Sequence, residues 1–312
     1  MRILVTGGAG YLGTTLVPML LERGHEVVVF DSLRFGVQPV IPLFRNPRFS
    51  LVRGDIRDRR SLEAPVRSAD AIVHLAAIVG YPACAAAPRE AREVNVDGTR
   101  NLAAVAGRER PVVYASSSSC YGAVPEGTCD EETPLRPISL YATTKAQCET
   151  ILLEACDAIV YRIATMYGLS PRLRLDLLIN DFVHQALHER RLTVYQGSAR
   201  RTFIHVADAA RAIVLALEKH EQMIGRAFNV GDESQNMTKM DVCRAIQQIV
   251  PGVEIDDSST GEDSDRRDYL VSYARINALG FSSTITVRDG IRELAGALRW
   301  IDRRDQYVNL SS

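Results

Sequence analysis

The chain has 312 residues, of which 46% are hydrophobic and 24% are charged, so it can bury a large core. Its 37 basic and 38 acidic residues leave a net charge of -1, which argues against the broad positive field of a nucleic-acid-binding surface. The sequence has no apolar run of the ~18 residues that a membrane span needs and no signal-peptide pattern, and its six scattered cysteines form no CxxC pair. We therefore expect a soluble cytoplasmic protein without a metal site that binds neither nucleic acid nor membrane.

Short apolar runs alternate with helical stretches through the first half of the chain. The predicted strands are Ile3–Val5, Glu26–Phe30, Ser50–Val52, Ala71–Leu75, Pro111–Ala115 and Ala158–Ile163. Runs without polar alternation, such as VVVF and AIVHL, are typical of parallel strands that helices cover on both faces. The pattern predicts an α/β fold with a Rossmann-like doubly wound parallel sheet.

Beyond Met166 the pattern becomes less regular. Helices are predicted at Leu177–Glu189, Val206–Leu217 and Lys239–Ile249, and polar loops at Ser198–Thr202 and Asp256–Arg267. We expect residues 1–165 to form a dinucleotide-binding domain, to which a segment near 200–232 returns with the strand-like run Ala227–Val230. Residues 166–312 are expected to form mainly a smaller C-terminal substrate-binding lobe.

A glycine-rich loop, GGAGYLG, follows the first predicted strand and opens a helical stretch. Gly7, Gly10 and Gly13 would permit a tight turn and bring a pyrophosphate close to backbone N–H groups. The second strand ends in Asp31, at about the ~20-residue spacing of a ribose-binding carboxylate. Because a carboxylate repels a 2'-phosphate, we expect NAD as the cofactor, although the nearby Arg34 would suit NADP. The alternative is a structural turn without a ligand.

Tyr141 and Lys145 stand four residues apart in the helical stretch LYATTKAQCETILLEA and so share one face. A lysine charge there would stabilise a tyrosine phenolate, whose pKa is otherwise near ~10. The serine run Ser116–Ser119 follows a predicted strand at the carboxyl edge of the sheet, where hydroxyl groups could bind a substrate alcohol. The alternatives are a surface Tyr–Lys pair on an amphipathic helix and a polar turn that caps the strand.

These motifs together resemble a known family. GGAGYLG, HLAA at 74–77, SSSSCYG at 116–122 and YATTK at 141–145 are similar to the extended short-chain dehydrogenase/reductases, in particular the NAD-dependent nucleotide-sugar epimerases and dehydratases. RTFIHVAD at 201–208 and FNVG at 228–231 extend the resemblance over nearly the whole chain. The resemblance implies bound NAD, a nucleotide-sugar substrate and a homodimer formed through the helix that carries the tyrosine and the lysine.

The loop chemistry and the resemblance together give three sets of site residues. The implied catalytic residues are Ser117, Tyr141 and Lys145. The implied cofactor-binding residues are Gly7, Gly10, Tyr11, Leu12, Gly13, Asp31, Ser32, Arg34, Asp55, Ile56, Leu75, Ala76, Ala77, Asn95, Tyr141 and Lys145. The implied substrate-binding residues are Ser117, Ser118, Thr165, Asn180, Arg174, Arg201 and Arg267. The guanidinium groups in this last set suit phosphate oxygens, and the alternative for each is a solvated surface charge.

The residues after Ser117 bear on the reaction. In the family that the chain resembles, 4,6-dehydratases carry Asp-Glu there and uronate decarboxylases a Glu, whereas this chain carries Ser118 and Ser119. The 3,5-epimerising members use a Cys at the position of Ser119, and Cys120 lies one residue too late. We therefore expect an epimerase that acts at C4 through a transient keto-sugar, with Tyr141 as the base. The alternatives are a nucleotide-4-keto-sugar reductase or dehydratase of the same family and a non-enzymatic nucleotide-sensing scaffold.

Overall fold

The computed structural model describes residues 1–122, 124, 127–258, 268–301 and 307–309. The strands in these ranges are β1 (Arg2–Thr6), β2 (Glu26–Asp31), β3 (Phe49–Arg53), β4 (Ala71–His74), β5 (Pro111–Ser117), β6 (Thr128–Cys129), β7 (Asp157–Ile163), β8 (Thr165–Tyr167), β9 (Arg191–Tyr195), β10 (Arg200–His205), β11 (Arg226–Val230), β12 (Asn236–Thr238), β13 (Glu254–Ser258) and β14 (Leu270–Val271). The helices are α1 (Gly13–Glu22), α2 (Arg59–Arg67), α3 (Tyr81–Ala86), α4 (Pro88–Arg92), α5 (Gly98–Ala106), α6 (Leu140–Ala155), α7 (Leu178–His188), α8 (Val206–Glu218), α9 (His220–Met223), α10 (Lys239–Ile249), α11 (Ala274–Asn277) and α12 (Val287–Leu298). Short 3-10 turns lie at Gln38–Arg45, Ser118–Tyr121 and Glu233–Gln235, and a π-helical turn lies at Glu93–Asp97.

Seven parallel strands form the central sheet in the order β3-β2-β1-β4-β5-β7-β11. The six strands predicted for the first half of the chain all lie in it, and β11 joins its edge with Val230 opposite Ile163 of β7. The strand order reverses between β1 and β4, which is where doubly wound sheets open a crevice at their carboxyl ends. The predicted α/β fold class is confirmed.

The two faces of the sheet are covered by separate apolar layers. Ile3 and Val5 of β1 pack in the layer that contains α1 and α8, whereas Leu4 packs in the layer that contains α2, α5 and α6. Strand side chains alternate between faces, so both sets of positions must be apolar when both faces are covered. This is why the central strands show no polar alternation in the sequence.

A third apolar cluster packs around α7, α10 and α12 and includes Val183, Val242 and Ile291. We call the elements around this cluster the second lobe. The small sheets β12-β10-β8 and β13-β9 lie beside the cluster. The predicted loop Ser198–Thr202 is wrong at its end, because β10 begins at Arg200 and pairs with β12. The other predicted polar loop begins in β13, and its residues 259–267 lie outside the described ranges. The division of the chain at residue 165 stays a prediction.

Two features are absent from the described ranges. No helix there combines the length and apolar character needed to cross a bilayer. No group of three or more His, Cys, Asp and Glu side chains there could hold a metal ion. All six cysteines are buried free thiols.

Candidate active site

A cleft of about 680 Å³ opens at the carboxyl ends of the central strands. The glycine loop, the ends of β2 and β5 and the start of α6 form one wall, and the segment after β7 and the start of β10 contribute to the other. The predicted site residues that line it are Gly7, Gly10, Tyr11, Leu12, Gly13, Asp31, Ser32, Arg34, Asp55, Ile56, Leu75, Ala76, Ala77, Ser117, Tyr141, Lys145, Thr165, Arg174 and Arg201. The cleft therefore brings together residues from both halves of the chain.

The glycine loop is packed too tightly for side chains at two of its positions. Gly7 has a φ of +71°, and a Cβ on it would lie 2.6 Å from the backbone nitrogen of Ala76. A Cβ on Gly13 would lie 2.5 Å from the Cα of Gly8. Leu12, at the N-cap of α1, makes no side-chain capping hydrogen bond, and the dipole of this helix end favours an anion such as a pyrophosphate. The loop thus fits the diphosphate of a dinucleotide.

Asp31 lies at the end of β2 and faces the cleft. Its two carboxylate oxygens accept hydrogen bonds from the backbone N–H groups of Ala9, at 3.0 Å, and Leu33, at 2.8 Å. Burial raises the pKa of Asp31, and these two N–H groups act in the opposite direction. Each oxygen retains lone pairs that can accept further bonds from ribose hydroxyls. Arg34 already has a counter-ion in Glu90, at 3.1 Å, which weakens the argument for a bound 2'-phosphate.

Ser117, Tyr141 and Lys145 meet at one corner of the cleft. Ser117 is the last residue of β5, and its Oγ accepts a hydrogen bond from the Ser119 hydroxyl at 2.8 Å. Ser139 caps the N-terminus of α6, so the helix begins where Tyr141 and Lys145 both face the cleft. Lys145 Nζ donates to the Ala115 carbonyl at 2.6 Å and lies 6.0 Å from the Tyr141 ring centroid. A phenol, a hydroxyl group and a cation are thus placed side by side.

The electrostatics of this corner oppose ionisation of both titrating groups. Burial raises the pKa of Tyr141 to about 12, although its hydrogen bond with Ser117 and the charge of Arg174 act to lower it. Burial also lowers the pKa of Lys145. The Lys145 ammonium lies 4.8 Å from the Tyr114 ring centroid, where the ring face favours its charged form. Ionisation of Tyr141 near neutral pH would therefore require further positive charge in the cleft.

A buried ion pair that the sequence did not predict lies behind the corner formed by Ser117, Tyr141 and Lys145. Glu149, one helical turn beyond Lys145, pairs with Arg162 of β7 at 2.9 Å, and both side chains are buried. The Ser116 hydroxyl donates to the same carboxylate, so α6 is tied to β5 and β7. Breaking a buried pair of this kind typically costs about 3–5 kcal/mol. The available signal was an arginine inside the otherwise apolar run AIVYRIA.

Asn95 lies outside the lining but supports it. It stands in the π-helical turn and accepts a hydrogen bond from the backbone N–H of Ile78 at 2.7 Å. Its amide nitrogen donates to the Ile78 carbonyl and to Thr144 Oγ1 in α6. Asn95 therefore holds the segment after β4 against the helix that carries Tyr141.

The predicted substrate-binding residues divide into three groups. Thr165, Arg174 and Arg201 line the cleft, where Arg174 forms two hydrogen bonds with Asp176 at 3.1 and 2.7 Å. Asn180 and Ser118 are buried and absent from the described lining of the cleft. Asn180 bonds to backbone groups of Gly168 and Arg174, and the Ser118 carbonyl accepts from Tyr269. Arg267 lies outside the described residues.

Comparison with known proteins agrees with this geometry. A sequence model of the NAD dependent epimerase/dehydratase family matches residues 3–231. The chain is 32% identical to a dTDP-glucose 4,6-dehydratase of Streptomyces niveus over 94% of this chain and 91% of the relative. It is 29% identical to UDP-glucuronic acid decarboxylase 1 of Arabidopsis thaliana, over 96% of this chain and 70% of the relative. The crystal structure of a UDP-glucuronic acid 4-epimerase from Bacillus cereus, in complex with UDP-glucuronic acid and NAD, superposes with a TM-score of 0.84 at 25% identity, covering 96% of this chain and all of that one.

Proposed function

Because the chain belongs to the NAD dependent epimerase/dehydratase family, whose cofactor is NAD, we propose that it is a nucleotide-sugar epimerase that acts at C4. The observation that carries this proposal is the make-up of the corner formed by Ser117, Tyr141 and Lys145, which we call the catalytic corner. Ser119, in the serine run after Ser117, lines this corner with a hydroxyl group and not a carboxylate, and Tyr141 would accept the proton.

Residues of the sheet side would hold NAD. The glycine loop and the start of α1 suit its diphosphate, Asp31 suits a ribose, and Asp55 and Ile56 line the cleft beyond it. NAD, when bound, supplies a reversible hydride acceptor and the positive charge that the Tyr141 phenolate lacks. With Tyr141 and Lys145 in the same cleft, these residues fit the cofactor.

The proposed reaction needs one proton-transfer group. The Tyr141 phenolate accepts the proton of the sugar C4 hydroxyl while Ser117 orients that oxygen, and the C4 carbon loses a hydride to give a 4-keto sugar. The keto-sugar rotates within the cleft, and the hydride returns to the opposite face of its C4 carbon. Tyr141 then returns the proton, so the product is the C4 epimer and no net oxidant or reductant is consumed.

Elimination of water from the sugar, or loss of its carboxylate as CO₂, would need additional acid–base groups beside the sugar. Four of the described residues that line the cleft are acidic, and each carboxylate already has a partner. Asp31 bonds to backbone N–H groups, and Asp55, Glu90 and Asp176 pair with arginines. This arrangement favours epimerisation, although dehydratases and decarboxylases stand among the curated relatives.

The second-lobe wall would bind the nucleotide sugar. Arg201 and Arg174 suit its diphosphate, and Thr165 lies where β8 begins, close to the catalytic corner in the lining of the cleft. We also retain the predicted cytoplasmic homodimer as part of the proposal, since six free thiols suit a reducing compartment. Sedimentation velocity would test the dimer.

The test is product analysis with a panel of UDP-, dTDP-, GDP- and CDP-linked hexoses and hexuronates in D₂O, with the Tyr141→Phe variant as the matched blank. A 4-epimerase gives an isomer of one substrate, without net NADH and without deuterium on carbon, because the hydrogen returned to C4 never exchanges with solvent. A product that has lost water or CO₂, or turnover only with a 4-keto sugar and stoichiometric NADH, would overturn the proposal.

A further inference from the structure

The segment Gly168–Arg172 of the second lobe is docked on the glycine loop. The Tyr11 hydroxyl donates to the Gly168 carbonyl at 2.8 Å, and the Ser170 hydroxyl donates to the Tyr11 carbonyl at 2.6 Å. The Arg172 backbone N–H donates to Thr14 Oγ1, in the first turn of α1, at 3.3 Å. These bonds place Arg172 beside the helix end that the glycine loop opens towards the cleft.

The Arg172 guanidinium lies in the lining of the cleft and is only 6% exposed. It stacks on the ring of Phe35, 3.9 Å from its centroid, and Phe35 belongs to the loop that follows Asp31. Its described hydrogen bond is from Nη1 to the Leu173 carbonyl at 3.0 Å. The aromatic contact fixes the plane of the guanidinium and leaves several N–H donors for a ligand.

Arg172 differs from the other arginines of this region in its charge balance. Arg34, Arg57 and Arg174 each pair with a carboxylate, whereas no described carboxylate lies within ion-pair distance of Arg172. Burial lowers the pKa of Arg172 to about 10, the neighbouring charge of Arg174 acts in the same direction, and the charge of Asp176 opposes it only in part. A buried cation without a counter-ion is costly, so an anion in the cleft would stabilise it.

We propose that Arg172 is a ligand of the NAD diphosphate, contributed by the second lobe and oriented by Phe35. Its backbone is anchored to α1 and its side chain to the loop after β2, and both elements belong to the dinucleotide half of the cleft. The nucleotide-sugar diphosphate is the alternative ligand, for which Arg174 and Arg201 are better placed. Cofactor binding would then join the two lobes, whichever reaction the enzyme performs.

Binding measurements without turnover test this assignment. Protein freed of co-purified nucleotide is titrated with NAD, ADP-ribose and adenosine by calorimetry, for the wild type and for Arg172→Gln and Arg172→Lys. We expect Arg172→Gln to lower the affinity for NAD and for ADP-ribose by about 10- to 100-fold, as for a lost charge-assisted hydrogen bond. Adenosine, which has no phosphate, should bind equally well to the wild type and to Arg172→Gln. Arg172→Lys should recover part of the affinity, and Phe35→Leu should lose several-fold.

Arg200→Gln is the control, because it removes an exposed guanidinium that pairs with Asp268 and is absent from the described lining of the cleft. It should leave the NAD affinity within about twofold. The assignment is wrong if Arg172→Gln binds NAD as the wild type does, or if it weakens adenosine as much as NAD. It is also wrong if, in parallel titrations with UDP and dTDP, the variant loses affinity for one of these and not for NAD. None of these results depends on the product of the reaction, so the C4 epimerase proposal stands or falls separately.

Discussion

The two walls of the cleft differ in how their side chains are held. On the sheet wall, Asp31, Ser117 and Tyr141 stand at strand ends or at a helix start, and their positions follow from local backbone geometry. On the second-lobe wall, the Arg174 and Arg201 side chains already bond to groups of the protein, namely Asp176 and the Arg200 carbonyl. The side chains of the sheet wall are therefore fixed by the frame of the fold, whereas the arginines of the second-lobe wall must exchange contacts to bind a ligand.

The largest effect should come from the catalytic corner itself. Tyr141→Phe removes the only group that we assign as proton acceptor, so kcat should fall by about a thousandfold or more. Burial of the ring is unchanged, so thermal unfolding and NAD binding should remain as in the wild type. Stopped assays of product formation and calorimetry with NAD measure the two quantities. Wild-type turnover in this variant would remove Tyr141 from the mechanism and the sheet wall from its catalytic role.

Lys145→Met tests the electrostatic part of the same wall. A charge 6.0 Å from the Tyr141 ring contributes about 3 kcal/mol at an effective dielectric constant of about 20, or about two pKa units. Removing a cation raises the pKa of a phenol, so the rise of kcat with pH should move upward by about two units, with kcat about 100-fold lower at neutral pH.

The pH profile separates this effect from a loss of structure. A misfolded variant would lose activity at every pH, whereas a folded Lys145→Met variant should show the same rise of kcat with pH displaced to higher pH. A kcat that falls equally at all pH values would show that Lys145 orients Tyr141 or the cofactor without tuning the phenol.

The same contrast explains what the sequence could predict. The central strands could be predicted from the sequence because helices cover both faces of the sheet. The glycine loop could be predicted because Gly7 and Gly13 admit no side chain. Asn180 was predicted as a substrate-binding residue, but its bonds to buried backbone groups of Gly168 and Arg174 could not be predicted, since that need arises only after packing. The pairs Glu149–Arg162 and Arg172–Phe35 likewise join elements that the fold brings together.

Asp31→Asn should change the choice of cofactor. The amide keeps one acceptor oxygen but loses the negative charge, so NAD should bind about tenfold more weakly, as for one charge-assisted hydrogen bond. The repulsion of a 2'-phosphate disappears as well, so the ratio of NAD to NADP affinity should fall further. Calorimetric titration with both cofactors measures the ratio. An unchanged ratio would mean that Arg34, paired with Glu90, or another group sets the preference.

The smallest expected effect lies on the second-lobe wall, where two adjacent arginines provide an internal control. Arg201 is buried in the cleft lining, whereas Arg200 is exposed and pairs with Asp268 at the surface. Arg201→Gln should raise KM for the nucleotide sugar by up to about tenfold with little change in kcat, because it removes ground-state binding. Arg200→Gln should leave KM unchanged, since exposed pairs contribute about 0–1 kcal/mol. If the two variants behave alike, the diphosphate is bound elsewhere, and the second-lobe wall is held by its internal contacts without serving the substrate.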